Sequence, residues 1–200
     1  MTYQSCPCPA RSPWGAIQTK RELAPGIWSV STAGHGGIKL SRERNAAVPK
    51  YMRSEGGWYE EDCEWAIAAV VHPVGFQRVI KVEGKPERTE FDYAMEVLRN
   101  WFPAFFELFT GRDLLPGESR AKDEANWRIE TIDNFVVSAA WGSWSHWVPQ
   151  GKTGVVAQRE RDKAEKWFLV DAKLYAKRTG FGFVIDFSRD QEVAKPGRTG

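Results

Sequence analysis

The sequence predicts an α+β fold, a mostly antiparallel sheet packed against two or three helices in a single domain. Three observations carry that prediction. Near both ends of the chain, apolar and polar residues alternate in short runs bounded by glycine and polar residues, the period of half-buried strands. In the middle, apolar residues recur at helical spacing and stop at Pro73, Pro103 and Gly111. The chain has 200 residues and no long Pro/Gly/Ser linker or internal repeat, which suits one core. Residues 1–12 read as a disordered tail, 13–190 as the domain and 191–200 as a second tail.

The elements follow in order. Gly26-Ile-Trp-Ser-Val-Ser-Thr alternates, Gly34-His-Gly-Gly supplies a turn, and Ile38-Lys-Leu alternates again, so 27–41 reads as a hairpin. Ser41 is placed to cap a short helix through Val48, which Pro49 ends. Glu60 to Val71 reads as a helix with Tyr59, Cys63, Ala66, Ile67 and Val70 along one side, stopped by Pro73. A strand is expected over Phe76 to Val82. Phe91 to Thr110 is a helix that Pro103 kinks or splits and Gly111 ends, and Ser119 to Glu130 is a shorter, polar one. Strands return at Phe135–Trp141, Gly154–Gln158, Trp167–Val170 and Phe181–Asp186, with a helical insert over Ala172–Lys177.

Composition narrows the function classes. The formal net charge is +2, and each basic cluster (Lys20-Arg21-Glu22, Arg42-Glu-Arg, Arg159-Glu-Arg-Asp-Lys) also holds acids, which disfavours direct nucleic-acid binding. No apolar run reaches the roughly 18–20 residues of a membrane span, and no leader pattern opens the chain, so a cytoplasmic, membrane-free protein is expected. Three cysteines, two of them in Cys6-Pro-Cys8, make no disulfide framework. Ten tryptophans are the compositional outlier, and they serve equally as core, interface anchors or stacking platforms.

Two segments carry candidate chemistry. His35 stands among glycines, where backbone can approach a ligand and an exposed imidazole can take a metal or a proton. Glu60, Glu61, Asp62 and Glu64 follow, with Glu60 and Glu64 at i and i+4 if that segment is helical. His35 with Glu60 and Glu64 would then supply nitrogen and oxygen ligands to a divalent metal, the only cofactor this reading admits, with His72 or His146 assisting. The same acids serve equally as ordinary first-turn residues that complement a helix N-terminus. No Walker loop, dinucleotide fingerprint, HExxH or Gly-x-Ser-x-Gly elbow is present. Cys63 sits among acids, which works against a reactive thiolate. Trp141-Gly-Ser-Trp-Ser-His-Trp is the second segment. An exposed Trp144 and Trp147 would anchor a protein partner or stack on a sugar or peptide.

Ser31-Thr-Ala-Gly-His-Gly-Gly-Ile-Lys-Leu-Ser, followed by Ala46-Ala-Val-Pro and by Gly56-Gly-Trp-Tyr-Glu-Glu-Asp-Cys-Glu-Trp-Ala, resembles an uncharacterised domain family of bacterial plasmids, phages and prophages. The resemblance runs from about Trp14 to Glu192 and brings no activity with it. It implies a mobile-element accessory protein acting by protein–protein interaction, as an inhibitor of a bacterial defence system such as CRISPR or restriction. The partner would be a host protein, a defence nuclease or its complex, contacted by Trp144, Trp147, Glu60, Glu61 and Glu64. The alternative is a metal-dependent hydrolase or modifying enzyme using His35 with Glu60 and Glu64.

Overall fold

A computed structural model describes residues 3–81, 83–84 and 86–197. The fold is α+β, and every strand pairing among the described residues is antiparallel. Strands are distributed over two four-stranded sheets and two two-stranded ribbons. The chain divides into two compact units, Met1–Ala121 and Lys122–Gly200.

In the first unit, β1 (Arg11–Ser12) and β2 (Gly15–Ala16) form a small ribbon. The main sheet has the order β3-β4-β5-β6, from Thr19–Ala24, Ile27–Ser31, Gly36–Leu40 and Trp58–Glu60. The expected hairpin is β4–β5, with Ile27 opposite Leu40 and Ser31 opposite Gly36. Helix α1 (Arg42–Ala47) is capped by Ser41, whose side chain accepts the Arg44 N–H at 3.2 Å. The next helix, α2 (Trp65–Val71), begins five residues later than the sequence predicts. Glu60 is held in β6 opposite Gly37, and residues 61–64 form a turn. Carboxylates make that turn: Glu60 accepts the Asp62 N–H at 2.7 Å and Glu64 accepts the Glu60 N–H at 3.2 Å. Side chains that bond nearby backbone in this way compete with helix formation.

The strand expected over 76–82 shrinks to β7 (Val79–Ile80), paired with β8 (Arg88–Thr89), and its end at Val82 lies outside the described residues. The long helix splits as α3 (Glu90–Trp101) and α4 (Pro103–Thr110). Pro103 lacks an N–H and bars helical φ/ψ at Phe102, so it opens a new helix instead of continuing the old one. Gly111, at φ 68°, caps α4 in the left-handed region. The core joins Ile27, Leu40 and Tyr59 of the sheet to Ala66, Ile67 and Val70 of α2 and Ala94, Val97 and Leu98 of α3.

The boundary at 121/122 falls inside α5 (Arg120–Glu130). The second unit is built on the sheet β12-β11-β10-β9, with β9 (Phe135–Trp141), β10 (Lys152–Arg159), β11 (Glu165–Asp171) and β12 (Gln191–Val193), and α6 (Ala172–Ala176) after β11. Phe135, Val155, Ala157, Phe168 and Val170 form its core with Phe183 and Ile185. The strand expected at Phe181–Asp186 is corrected to a single bridge, Val136 to Val184, flanked by two backbone hydrogen bonds to β9. Its side chains fill the core, but the Asp186 carboxylate turns the chain away by accepting from the Ser188 N–H at 2.9 Å.

Both terminal segments make contacts where they are described. Tyr3 packs edge-on against His72, Ser5 donates to Glu22 at 2.7 Å, and the Cys6 carbonyl accepts from the Trp28 indole at 3.0 Å. At the other end, β12 pairs with β11 through Val193 and Trp167. Prolines discourage regular structure in these segments, yet single side-chain contacts and one strand edge suffice to fix them.

Candidate functional site

His35 occupies the β4–β5 turn, which Thr32 shapes. The Thr32 N–H and hydroxyl both donate to the His35 carbonyl, at 2.7 and 2.9 Å. The His35 N–H donates back to the Thr32 hydroxyl at 3.2 Å. Sheet register then decides what the imidazole meets. Gly37 stands opposite Glu60, and the Glu61 N–H donates to the Gly36 carbonyl at 3.2 Å, so the end of β6 is carried alongside the turn. His35 Nδ1 lies 3.7 Å from Glu60 Oε1. Potential ligand atoms of His35, Glu60 and Glu61 all fall within 4.8 Å of one another.

Two details fit this trio to a cation. Glu60 Oε1 is buried and accepts no hydrogen bond, while Oε2 is committed to the Asp62 N–H. A buried carboxylate oxygen without a donor is costly, and a cation bound there would supply what it lacks. Two tetrahedral ligands at zinc-like bond lengths stand about 3.4 Å apart, close to the spacing seen. The second detail is Gly36. A Cβ there would collide with the Glu61 carboxylate and come within 2.9 Å of the Val30 carbonyl, so glycine is what lets Glu61 lie across the strand.

The sequence predicts Glu64 beside His35 and Glu60; in the structure Glu61 lies there instead. Glu64 is exposed and turned to the Glu60 backbone. With α2 starting at Trp65, the i, i+4 spacing never acts on a helix face.

Glu61 also lines a cleft of about 490 Å³. One face of the sheet explains it. Successive side chains of a strand alternate in direction, so Ile27, Ser29 and Ser31 share a face, as do Leu23, Arg21 and Thr19. At the Ile27–Leu40 end that face is core; at the other end it presents Thr19, Arg21, Ser29 and Ser31. Trp65, Phe76 and Tyr93 form the wall. Within the cleft Arg78 is paired to Glu90 at 2.5 Å, whereas Arg21 has no ion pair or side-chain hydrogen bond among the described residues. Sequence reasoning missed this cleft. Its one signal was a polar pair, Ser29 and Ser31, on the same alternation as the fully buried Ile27.

The other histidines are elsewhere. His72 is buried, its Nε2 3.0 Å from the Arg44 carbonyl and its Nδ1 3.4 Å from the Arg44 guanidinium. Burial lowers its pKa; the bond to the Arg44 carbonyl opposes that, and the Arg44 charge adds to it. It is therefore a structural group, held with Arg44 and with Tyr3, whose ring lies 3.9 Å from the guanidinium carbon. Cys63 is half-buried against the core, and burial followed by the charges of Glu64, Glu60 and Asp62 raises its thiol pKa. His146 is exposed in the second unit.

In that second unit the Trp141–Trp147 segment divides. Trp141 stacks on Trp167 at 5.1 Å, and Trp147 packs edge-on to both. The Trp147 ring covers Gly154 and joins Trp141 and Trp167 in a half-buried three-tryptophan cluster. Trp144 is 79% exposed.

The fold and the trio together define an antiparallel α+β protein with a histidine–carboxylate cluster at the rim of a polar-floored cleft. Residues 7–132 match the model of a domain of unknown function, DUF7007, and the chain belongs to that family. The match contains the whole of the His35–Glu61 cluster and the cleft. No curated protein and no solved structure matches the chain.

Proposed function

We propose that the chain binds a divalent cation through His35, Glu60 and Glu61 and works at the adjoining cleft as a metal-dependent hydrolase or modifying enzyme. One observation carries this reading: among the described residues the buried Glu60 Oε1 accepts no hydrogen bond and faces an imidazole 3.7 Å away, with Glu61 beside both. One nitrogen and two carboxylate donors suit zinc, manganese or magnesium, and three protein ligands leave coordination positions open. Such an ion supplies Lewis acidity to whatever group enters the cleft. The chain's own contribution is position. Gly36 admits the Glu61 carboxylate, Thr32 fixes the turn that holds His35, and the Asp62 N–H orients Glu60.

The test is titration calorimetry with Mn²⁺ on protein stripped of metal. Binding near one equivalent is expected, weakened at least about tenfold by His35→Ala and unchanged by Glu64→Ala, with far-UV circular dichroism preserved in both. Absent binding, or binding indifferent to His35→Ala, overturns the reading.

A second reading is favoured by the 79% exposure of Trp144. Here the chain is a cytoplasmic accessory protein of a plasmid, phage or prophage that inhibits a host CRISPR or restriction complex through protein contact. Trp144 is its anchor, and the exposed Glu61 and Glu64 compete for a basic surface on the target. Purification of the tagged chain from a bacterial lysate tests it. Loss of a stoichiometric partner in both Trp144→Ala and Glu61→Lys/Glu64→Lys is expected; retention of the partner in both sinks it.

A further inference from the structure

The geometry points to a phosphate ester as the molecule the first-unit cleft takes, its phosphate held between the proposed cation and Arg21. This deepens the cation reading above and rests on it. The cleft has the volume of a small-molecule site, at about 490 Å³. Its floor is the sheet face on which core residues give way to hydroxyls. Thr19 and Ser31 face each other across β3 and β4, with Gly36 next in the same row on β5. Their side-chain oxygens are 2.5 Å apart, a short contact that leaves lone pairs and one hydroxyl proton for a ligand.

Arg21, Glu61, Asp62 and the mutually paired Arg78 and Glu90 line the cleft. The Glu61 carboxylate lies over Gly36 on β5 and is the member of the trio that lines the cleft, so it is the link between the proposed cation and the cleft floor. Arg21 stands on β3, two strands across and two residues along from Gly36, or about 12 Å between backbones at ordinary strand spacing and rise. That gap is spanned by an arginine side chain and one tetrahedral oxyanion. Arg21 is exposed and has no ion pair among the described residues, so its guanidinium can meet an anion without first breaking one. A phosphate can offer separate oxygens to the cation, to Arg21 and to the hydroxyls. A carboxylate has only two oxygens and cannot serve all three. Trp65 and Tyr93 wall the cleft, so the organic part of the ester is expected to be flat or apolar, of the size of a nucleoside.

Calorimetry with ADP, adenosine and acetate, each with and without saturating Mn²⁺, tests this alongside the Mn²⁺ titration itself. ADP is expected to bind at least about tenfold more tightly with Mn²⁺, while adenosine and acetate give no measurable heat. Arg21→Ala should weaken ADP about tenfold or more and leave the Mn²⁺ affinity of the protein unchanged; Arg21→Lys should recover part of the loss. Mn²⁺ binding with no ADP binding overturns the phosphate proposal and leaves the cation reading standing. ADP binding that depends on Arg21 in a protein that takes no Mn²⁺ overturns the cation reading and keeps the anion site. ADP binding indifferent to Arg21→Ala places the phosphate elsewhere and overturns the proposal.

Discussion

Gly154→Ala should be among the most damaging single-methyl additions to this protein. Gly154 lies on β10 opposite both Trp141 and Leu169, and the Trp147 indole fills the space where its side chain would be. A Cβ there would fall far inside contact distance of three ring atoms, so the indole must leave or the strand must shift. Overpacking of this kind costs about 1–3 kcal/mol. Expelling Trp147 also gives up its edge-on contacts with Trp141 and Trp167, each worth about 0.5–1.5 kcal/mol. Alanine recovers about 0.5–1 kcal/mol of backbone entropy relative to glycine in a strand. The net expectation is a loss of about 2–4 kcal/mol, since these terms overlap. Urea unfolding followed by fluorescence reads it, and near-UV circular dichroism should lose intensity as the tryptophan cluster opens. Pairing Gly154→Ala with Trp147→Ala should cost less than the sum of the two single changes, because the clash is gone. A single variant within about 0.5 kcal/mol of the parent, with its near-UV spectrum intact, would refute the packing argument.

Further outcomes follow from other sites. His72 is kept neutral by burial, so its folded pKa lies below the unfolded value of about 6.5. The unfolded chain then binds the proton first. Stability is full above pH 6.5 and falls as pH drops toward the folded value, by at most about 1.4 kcal/mol per pH unit. Urea midpoints at pH 7 and 5.5 check the direction, and His72→Gln should flatten the difference in that window. Ser41→Ala removes the cap of α1 and should cost about 1 kcal/mol in the same assay. Gly36→Ala should displace the Glu61 carboxylate and weaken Mn²⁺ binding, whereas Gly34→Ala, with nothing within 4 Å of its added carbon, should not.

Local signals were legible because neighbouring residues encode them. The 27–41 hairpin rests on alternation and glycines, α1 on Ser41, the break between α3 and α4 on Pro103, and the end of α4 on Gly111. Each is a short-range conflict or preference that needs no partner element. The acid run at 60–64 shows where this stops. Carboxylates suit the first turn of a helix, but they equally bond the backbone of a turn, and only the pairing of β6 with β5 decides between the two. That register also exchanges Glu64 for Glu61 beside His35.

From the sequence alone came the α+β class, the antiparallel pairing and two separate candidate segments, the glycine-flanked His35 and the carboxylate run at 60–64. Only the tertiary structure decided which carboxylates His35 meets, that Ser29 and Ser31 floor a cleft, and that Trp147 packs half-buried in a cluster while Trp144 is exposed. The reason is physical: side-chain period and caps are set within a few residues, whereas register joins segments more than twenty residues apart. A one-residue change of register sends a side chain to the opposite face.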